Sequence, residues 1–149
     1  MVAASLPMHG HPHAAAFLEL MARTQKAYAA RDLEGYLGAF AADYSSVRLG
    51  TDWSEDRDEL RAKIADDFRR FDVLSMGFEV HRAWYAGEIG FAHLGYRTRL
   101  RFREGGAVLL DERENLVVGR HLGDGRWELI GKIVLRVQAG FEAGEGPDV

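Results

Sequence analysis

Residues 83–137 read AWYAGEIGFAHLGYRTRLRFREGGAVLLDERENLVVGRHLGDGRWELIGKIVLRV, and this stretch decides the fold. Apolar and polar residues alternate over long runs. The runs break at Ala86-Gly87-Glu88, Glu104-Gly105-Gly106 and Gly123-Asp124-Gly125. A period of two marks strands with one covered face, and glycine at the breaks suits the positive φ of tight hairpins. The pattern predicts strands at about Leu74–Tyr85, Ile89–Arg103, Val108–Arg120 and Arg126–Gln138.

Upstream the period changes. A first helix is predicted from about His13 to Ala30, with Phe17, Met21, Thr24 and Tyr28 as its apolar stripe. Asp32 reads as the N-cap of a short second helix over Leu33–Ala41. Tyr44–Leu49 reads as a short strand and Thr51-Asp52-Trp53-Ser54 as a loop. A third helix then starts at Ser54 or Glu55 and ends near Arg70, with Leu60, Ile64, Phe68 and Phe71 on its core face. Helices followed by a meander predict an α+β fold: N-terminal helices packed on a strongly curved mixed or antiparallel sheet that encloses a pocket. Residues 1–12 read as a flexible lead-in, 13–138 as one domain and 139–149 as a flexible tail.

Composition narrows the function classes. The 149 residues suit one domain, and 47% hydrophobic content supplies its core. A net charge of −4 offers no basic field for nucleic acid. The absence of cysteine removes disulfides, thiol catalysis and thiolate metal sites, and fits a reducing cytoplasm. No apolar run approaches the roughly 20 residues of a membrane helix, so no membrane partner is expected.

Strand pairing sorts the polar residues by face. A two-residue turn at Gly105-Gly106 would set Arg99 opposite Glu112 and Arg97 opposite Glu114, with Arg101 on the same face. The other face then carries Tyr96, Thr98, Leu100, Asp111, Arg113 and Asn115. Through the Gly87 hairpin, with Gly77 opposite Tyr96 and Glu79 opposite Leu94, it extends to Glu79 and His81. The last hairpin has two readings. A two-residue turn at Asp124-Gly125 puts Lys132 and Arg136 on the Tyr96 face; a longer loop puts Trp127, Leu129 and Ile133 there, which better covers the layer beneath the helices.

Three stretches resemble the nuclear transport factor 2-like superfamily in its SnoaL-like branch. They are Ala27–Asp32 through Phe40–Tyr44, Tyr85–Gly90, and Gly123–Leu129, in the family's order and spacing. The resemblance implies a cone-shaped α+β fold with a pocket between helices and sheet, commonly in a homodimer. It implies no single activity, since such proteins include isomerases, dehydratases, cyclases and assembly modules. Many relatives carry a polar His or Ser late on the final strand. The matching positions here are Ile133 and Leu135, which leaves that strand without an expected catalytic group.

The residues themselves point to acid/base chemistry without a cofactor or metal. His81 is the candidate acid/base, because imidazole titrates near neutral pH and Glu79 shares its strand face. Tyr96 is a candidate donor to a substrate carbonyl, and Arg113 or Asn115 a holder of an anion or amide. Asp111 sits beside Arg113, and Tyr44 and Trp53 flank the loop before the third helix as candidate pocket residues; Tyr28 and Tyr36 read as core. The expected function is a small-molecule pocket, with isomerase, dehydratase or cyclase chemistry on a small carbonyl compound. The alternative is a non-catalytic ligand-binding or assembly module. His9, His11 and His13 alternate without a Cys or carboxylate in the segment to complete a metal site. A homodimer is predicted through the outer sheet face, which reads as presenting Phe78, Val80, Trp84, Phe91 and the Arg97/Arg99/Arg101 ladder with Glu112 and Glu114.

Overall fold

The computed structural model describes residues 10–142. Three helices, α1 (Ala14–Ala29), α2 (Leu33–Leu37) and α3 (Arg57–Arg70), cover one face of a sheet. The strands are β1 (Phe40–Arg48), β2 (Ser54–Asp56), β3 (Phe71–Ala86), β4 (Ile89–Phe102), β5 (Val108–Gly123) and β6 (Arg126–Phe141). Their order is β2-β1-β6-β5-β4-β3, with β1 parallel to β6 and every other pair antiparallel. The sheet is therefore mixed. Ser54 and Glu55, at one of which the third helix is expected to start, instead belong with Asp56 to the edge strand β2, and α3 begins at Arg57.

Each helix follows from its sequence. The α1 stripe of Phe17, Met21, Thr24 and Tyr28 is buried as its spacing requires. Asp32 caps α2 by accepting from the Gly35 amide at 3.0 Å. That helix is shorter than its sequence suggests, because the Leu129 amide captures the Ala39 carbonyl at 2.8 Å and draws the chain into β1 from Phe40. Asp56 and Glu59 form a reciprocal capping box at the start of α3, and Leu60, Ile64 and Phe68 line its buried face.

Register decides which residues meet the helices. The β4–β5 connection is longer than a two-residue turn: Phe102 N–H donates to the Ala107 carbonyl at 2.9 Å, and Arg97 faces Glu112 rather than Glu114. Gly105 and Gly106, at φ 90° and 78°, make that wider loop. The slip is by two residues, so Tyr96, Thr98, Asp111, Arg113 and Asn115 keep the expected face. In β3 the slip is by one. Val80 pairs with Leu94 and Arg82 with His93, leaving His81 as an extra residue. Phe78 and Val80 therefore turn inward against the core, while Glu79 and His81 turn outward.

In β6, Leu129 pairs with Gly119 and Gly131 with Val118, so Ile130 is extra. This bulge combines the two readings of the last hairpin. Trp127 and Leu129 join the core, and Lys132 also faces the helices. Arg136 instead bonds Glu114 on the outer side.

At both ends the described residues belong to the fold. Residues 139–141 belong to β6 and pair with β5. His11 contacts Glu88 at 2.7 Å, and the Trp127 indole donates to the His13 carbonyl at 3.0 Å, so residues 10–13 close one end of the fold. His9, the rest of the lead-in and residues 143–149 lie outside the described residues.

Candidate active site

Between the helices and the sheet lies a cavity of about 270 Å³. Helix α1 contributes Gln25 and Tyr28, α2 Tyr36, and α3 Lys63 and Asp67. The sheet contributes Tyr96 and Thr98 from β4, Asp111, Arg113 and Asn115 from β5, and Lys132 from β6. Apolar side chains such as Ile64, Phe71 and Leu100 complete the wall.

Several of these groups are paired. Arg113 grips Asp111 through two nitrogens, at 3.1 Å each. Burial, the largest single influence, opposes the guanidinium charge, but the Asp111 bond and the charges of Asp111, Asp67 and Tyr28 together hold the Arg113 pKa above its usual value. The Tyr28 hydroxyl donates to Asp67 at 3.2 Å. Burial, and then Asp67, pushes the Tyr28 phenol up, and burial raises the Asp67 carboxyl despite that bond. Burial likewise keeps the Tyr96 and Tyr36 phenols protonated far into alkali. Asn115 stands beside Tyr96, and its buried Oδ1 has no hydrogen-bond partner. An orphan acceptor on a cavity wall is a position a ligand donor would satisfy.

Lys132 differs from its neighbours. It makes no hydrogen bond or ion pair among the described residues, and it lines the cavity. Burial, and then the positive Lys63, lowers its pKa to about 7. Lys63 is itself held by the buried Glu55 at 3.1 Å. A lysine desolvated beside a second cation is neutral about half the time at neutral pH and can accept a proton there.

The expected site residues thus divide. Tyr96, Arg113, Asp111 and Asn115 share the cavity. Tyr44 is buried one step deeper, beside a small void of about 20 Å³ that Lys132 also lines. Trp53 is 40% exposed and packs against the Lys63 ammonium outside the cavity, at 5.6 Å from ring centroid to Nζ. His81 and Glu79 lie on the opposite sheet face, because the bulge at His81 reverses that stretch of β3. Tyr28 and Tyr36, read as core, form cavity wall. Lys63 and Asp67 were not singled out in the sequence, yet they flank Ile64 on α3 and carry charge to the edge of its apolar stripe.

No family model and no curated protein sequence matches this chain. Solved structures do. A conserved protein from Planctomyces limnophilus superposes with a TM-score of 0.76 at 16% identity, over 85% of this chain and 96% of that one. A hexachlorocyclohexane dehydrochlorinase (LinA) type 2 gives 0.72 at 11% identity, over 91% and 92%. A ketosteroid isomerase-like protein from Erwinia carotovora atroseptica gives 0.70 at 14% identity, over 85% and 97%. Others are described as NTF2-like or as having a cystatin-like fold. The architecture is therefore the NTF2-like, cystatin-like α+β fold. No helix among the described residues is long and apolar enough to cross a membrane.

Proposed function

We propose that the cavity binds a small carbonyl compound and moves a proton on it without a cofactor, as in an isomerisation or the elimination of water. The observation that carries this reading is an unpaired lysine of lowered pKa in a cavity also lined by a protonated phenol and an arginine. Lys132 is the base in place of His81. Its amine takes the proton next to the carbonyl, while the Tyr96 hydroxyl donates to the carbonyl oxygen as negative charge develops. Arg113, fixed by Asp111, orients a polar or anionic group of the ligand. The names of the dehydrochlorinase and isomerase-like neighbours support placing such chemistry in a cavity of this fold.

The test needs no known product. Small ketones, keto acids and unsaturated carbonyl compounds are incubated with the protein in D₂O, and α-proton exchange is followed by NMR. At least one compound is expected to exchange, with Tyr96→Phe slower by about 10²–10³-fold through loss of one donor to the oxyanion. Compounds that raise the melting temperature without exchange would instead favour the non-catalytic binding module.

We also infer a homodimer through the outer sheet face, now centred on Trp84 and Phe91. Their rings stack at 5.7 Å, and Arg82 lies 5.2 Å from the Trp84 ring. Phe78 and Val80 have turned inward, so this patch is narrower than the sequence suggests. Trp84→Glu is expected to halve the mass seen by light scattering at micromolar concentration. A monomeric parent protein, or an unchanged mass for the variant, would exclude this interface.

A further inference from the structure

The outer face gathers ligating groups that the cavity chemistry does not use. His81, His93 and Glu114 offer two imidazole nitrogens and a carboxylate oxygen, all within 4.8 Å of one another. His93 Nε2 is 2.9 Å from Glu114 Oε1, and the two imidazole rings are 4.9 Å apart. The backbone builds this meeting. The extra residue in β3 brings His81 onto the face that already carries His93. Gly95 leaves the space, since a Cβ there would come within 2.8 Å of His81 Nε2. Arg136 holds Glu114 Oε2 at 2.7 Å, which leaves Oε1 turned to the histidines.

We propose that His81, His93 and Glu114 bind a divalent transition-metal ion of the zinc class, with the remaining coordination positions left to water or another donor outside these three residues. Two nitrogens and one carboxylate oxygen suit zinc and its neighbours. The set lacks the thiolates that select copper(I) and the many oxygens that calcium requires. Arg136 then acts as the outer partner that orients the liganding carboxylate. Arg97 and Arg136 are opposed by Glu79, Glu112 and Glu114, so an arriving dication meets no net positive field.

A second cluster of similar tightness, His11, Glu88 and His121, shows why ligand proximity alone is insufficient. The His13 amide donates to His11 Nδ1 at 2.9 Å, and the Gly125 amide donates to His121 Nε2 at 3.0 Å. Each ring therefore carries its proton on the other nitrogen, and those nitrogens contact Glu88 at 2.7 and 2.9 Å. A cation would find N–H groups there, and moving either proton would break a backbone bond. That cluster is a structural clasp. Among the described residues neither His81 nor His93 accepts from a backbone amide. The bond between His93 and Glu114 joins two prospective ligands and gives way when both turn to the ion.

The experiment uses the untagged chain, stripped with chelator and titrated with ZnCl₂ by calorimetry. Cobalt(II) absorption reports the ligand set. The expected result is one ion per chain at micromolar affinity or tighter, weakened at least tenfold by His93→Ala and by His81→Ala, and unchanged by His121→Ala. Glu114→Gln, which keeps the shape of the side chain, should also weaken binding. The proposal is overturned if no saturable binding appears below 100 µM zinc, a ceiling of about −5.5 kcal/mol. It is equally overturned if binding survives both histidine variants, or if His121→Ala abolishes it.

Discussion

Replacing Lys132 by Met is expected to stabilise the fold at neutral pH while removing proton transfer. The folded-state pKa is about 7 against an ordinary 10.5. Between those values the unfolded chain binds more protons than the folded one, so this group makes stability rise with pH across that window. Its cost is fullest below pH 7 and is lost as pH approaches 10.5. The gap between the two values sets an upper bound of about 5 kcal/mol. Water in the cavity reduces this, and a gain of about 1–3 kcal/mol is expected for an unbranched apolar side chain of similar length. Urea unfolding at pH 7 and pH 9 measures it. The parent protein should gain stability between the two pH values, and Lys132→Met should be more stable at pH 7 and flatter. Both measurements stay below the range where the buried tyrosines titrate. The same variant should lower α-proton exchange by about 10²–10⁴-fold, the usual contribution of a general base. Equal stability of the two proteins at pH 7 would mean that the amine is as well solvated as a surface lysine, and Lys132 would lose its role as base.

That lysine marks where sequence reading reaches its limit. The polar wall on β4 and β5 was legible because its register slip was even, and an even slip keeps every side chain on its face. The slips in β3 and β6 are odd. Nothing local marks His81 or Ile130 as an extra residue, because the bulges form where long strands meet their neighbours and the helical layer. One bulge carries His81 out of the expected site. The other brings Lys132 into it while still letting Trp127 and Leu129 reach the core. The helices show the complementary difficulty. Tyr28 and Tyr36 have the spacing of core residues because a cavity wall continues the core, and only tertiary packing decides where the layers part. The end of α2 is similarly non-local, set by the Leu129 amide at the Ala39 carbonyl.

Phe17 is one of the side chains that seat α1 on the sheet, and Phe17→Ala is expected to cost about 3–5 kcal/mol, the range for a buried aromatic truncated to alanine. The ring is fully buried and packs against Tyr85 and Trp127. Beneath it Gly90 and Gly119 face each other across β4 and β5. A Cβ at Gly119 would come within 2.4 Å of the ring, and one at Gly90 within 3.0 Å. The two glycines thus form a bare floor that the aromatic covers. Gly119→Ala should therefore displace the ring and cost about 1–3 kcal/mol, as overpacking does. In the Phe17→Ala background the same methyl enters vacated space, and its cost should largely vanish. The double variant is then less damaged than the sum of the singles by about 1–3 kcal/mol, which equilibrium urea unfolding of the four proteins resolves. Additive losses would show that ring and floor do not act together. Because α1 also carries Gln25 and Tyr28 to the cavity, loosening Phe17 should weaken binding of any compound the exchange screen identifies, even though Phe17 does not line the cavity. Weaker binding in Phe17→Ala would show that a contact seating α1 on the sheet also sets the spacing of the cavity walls.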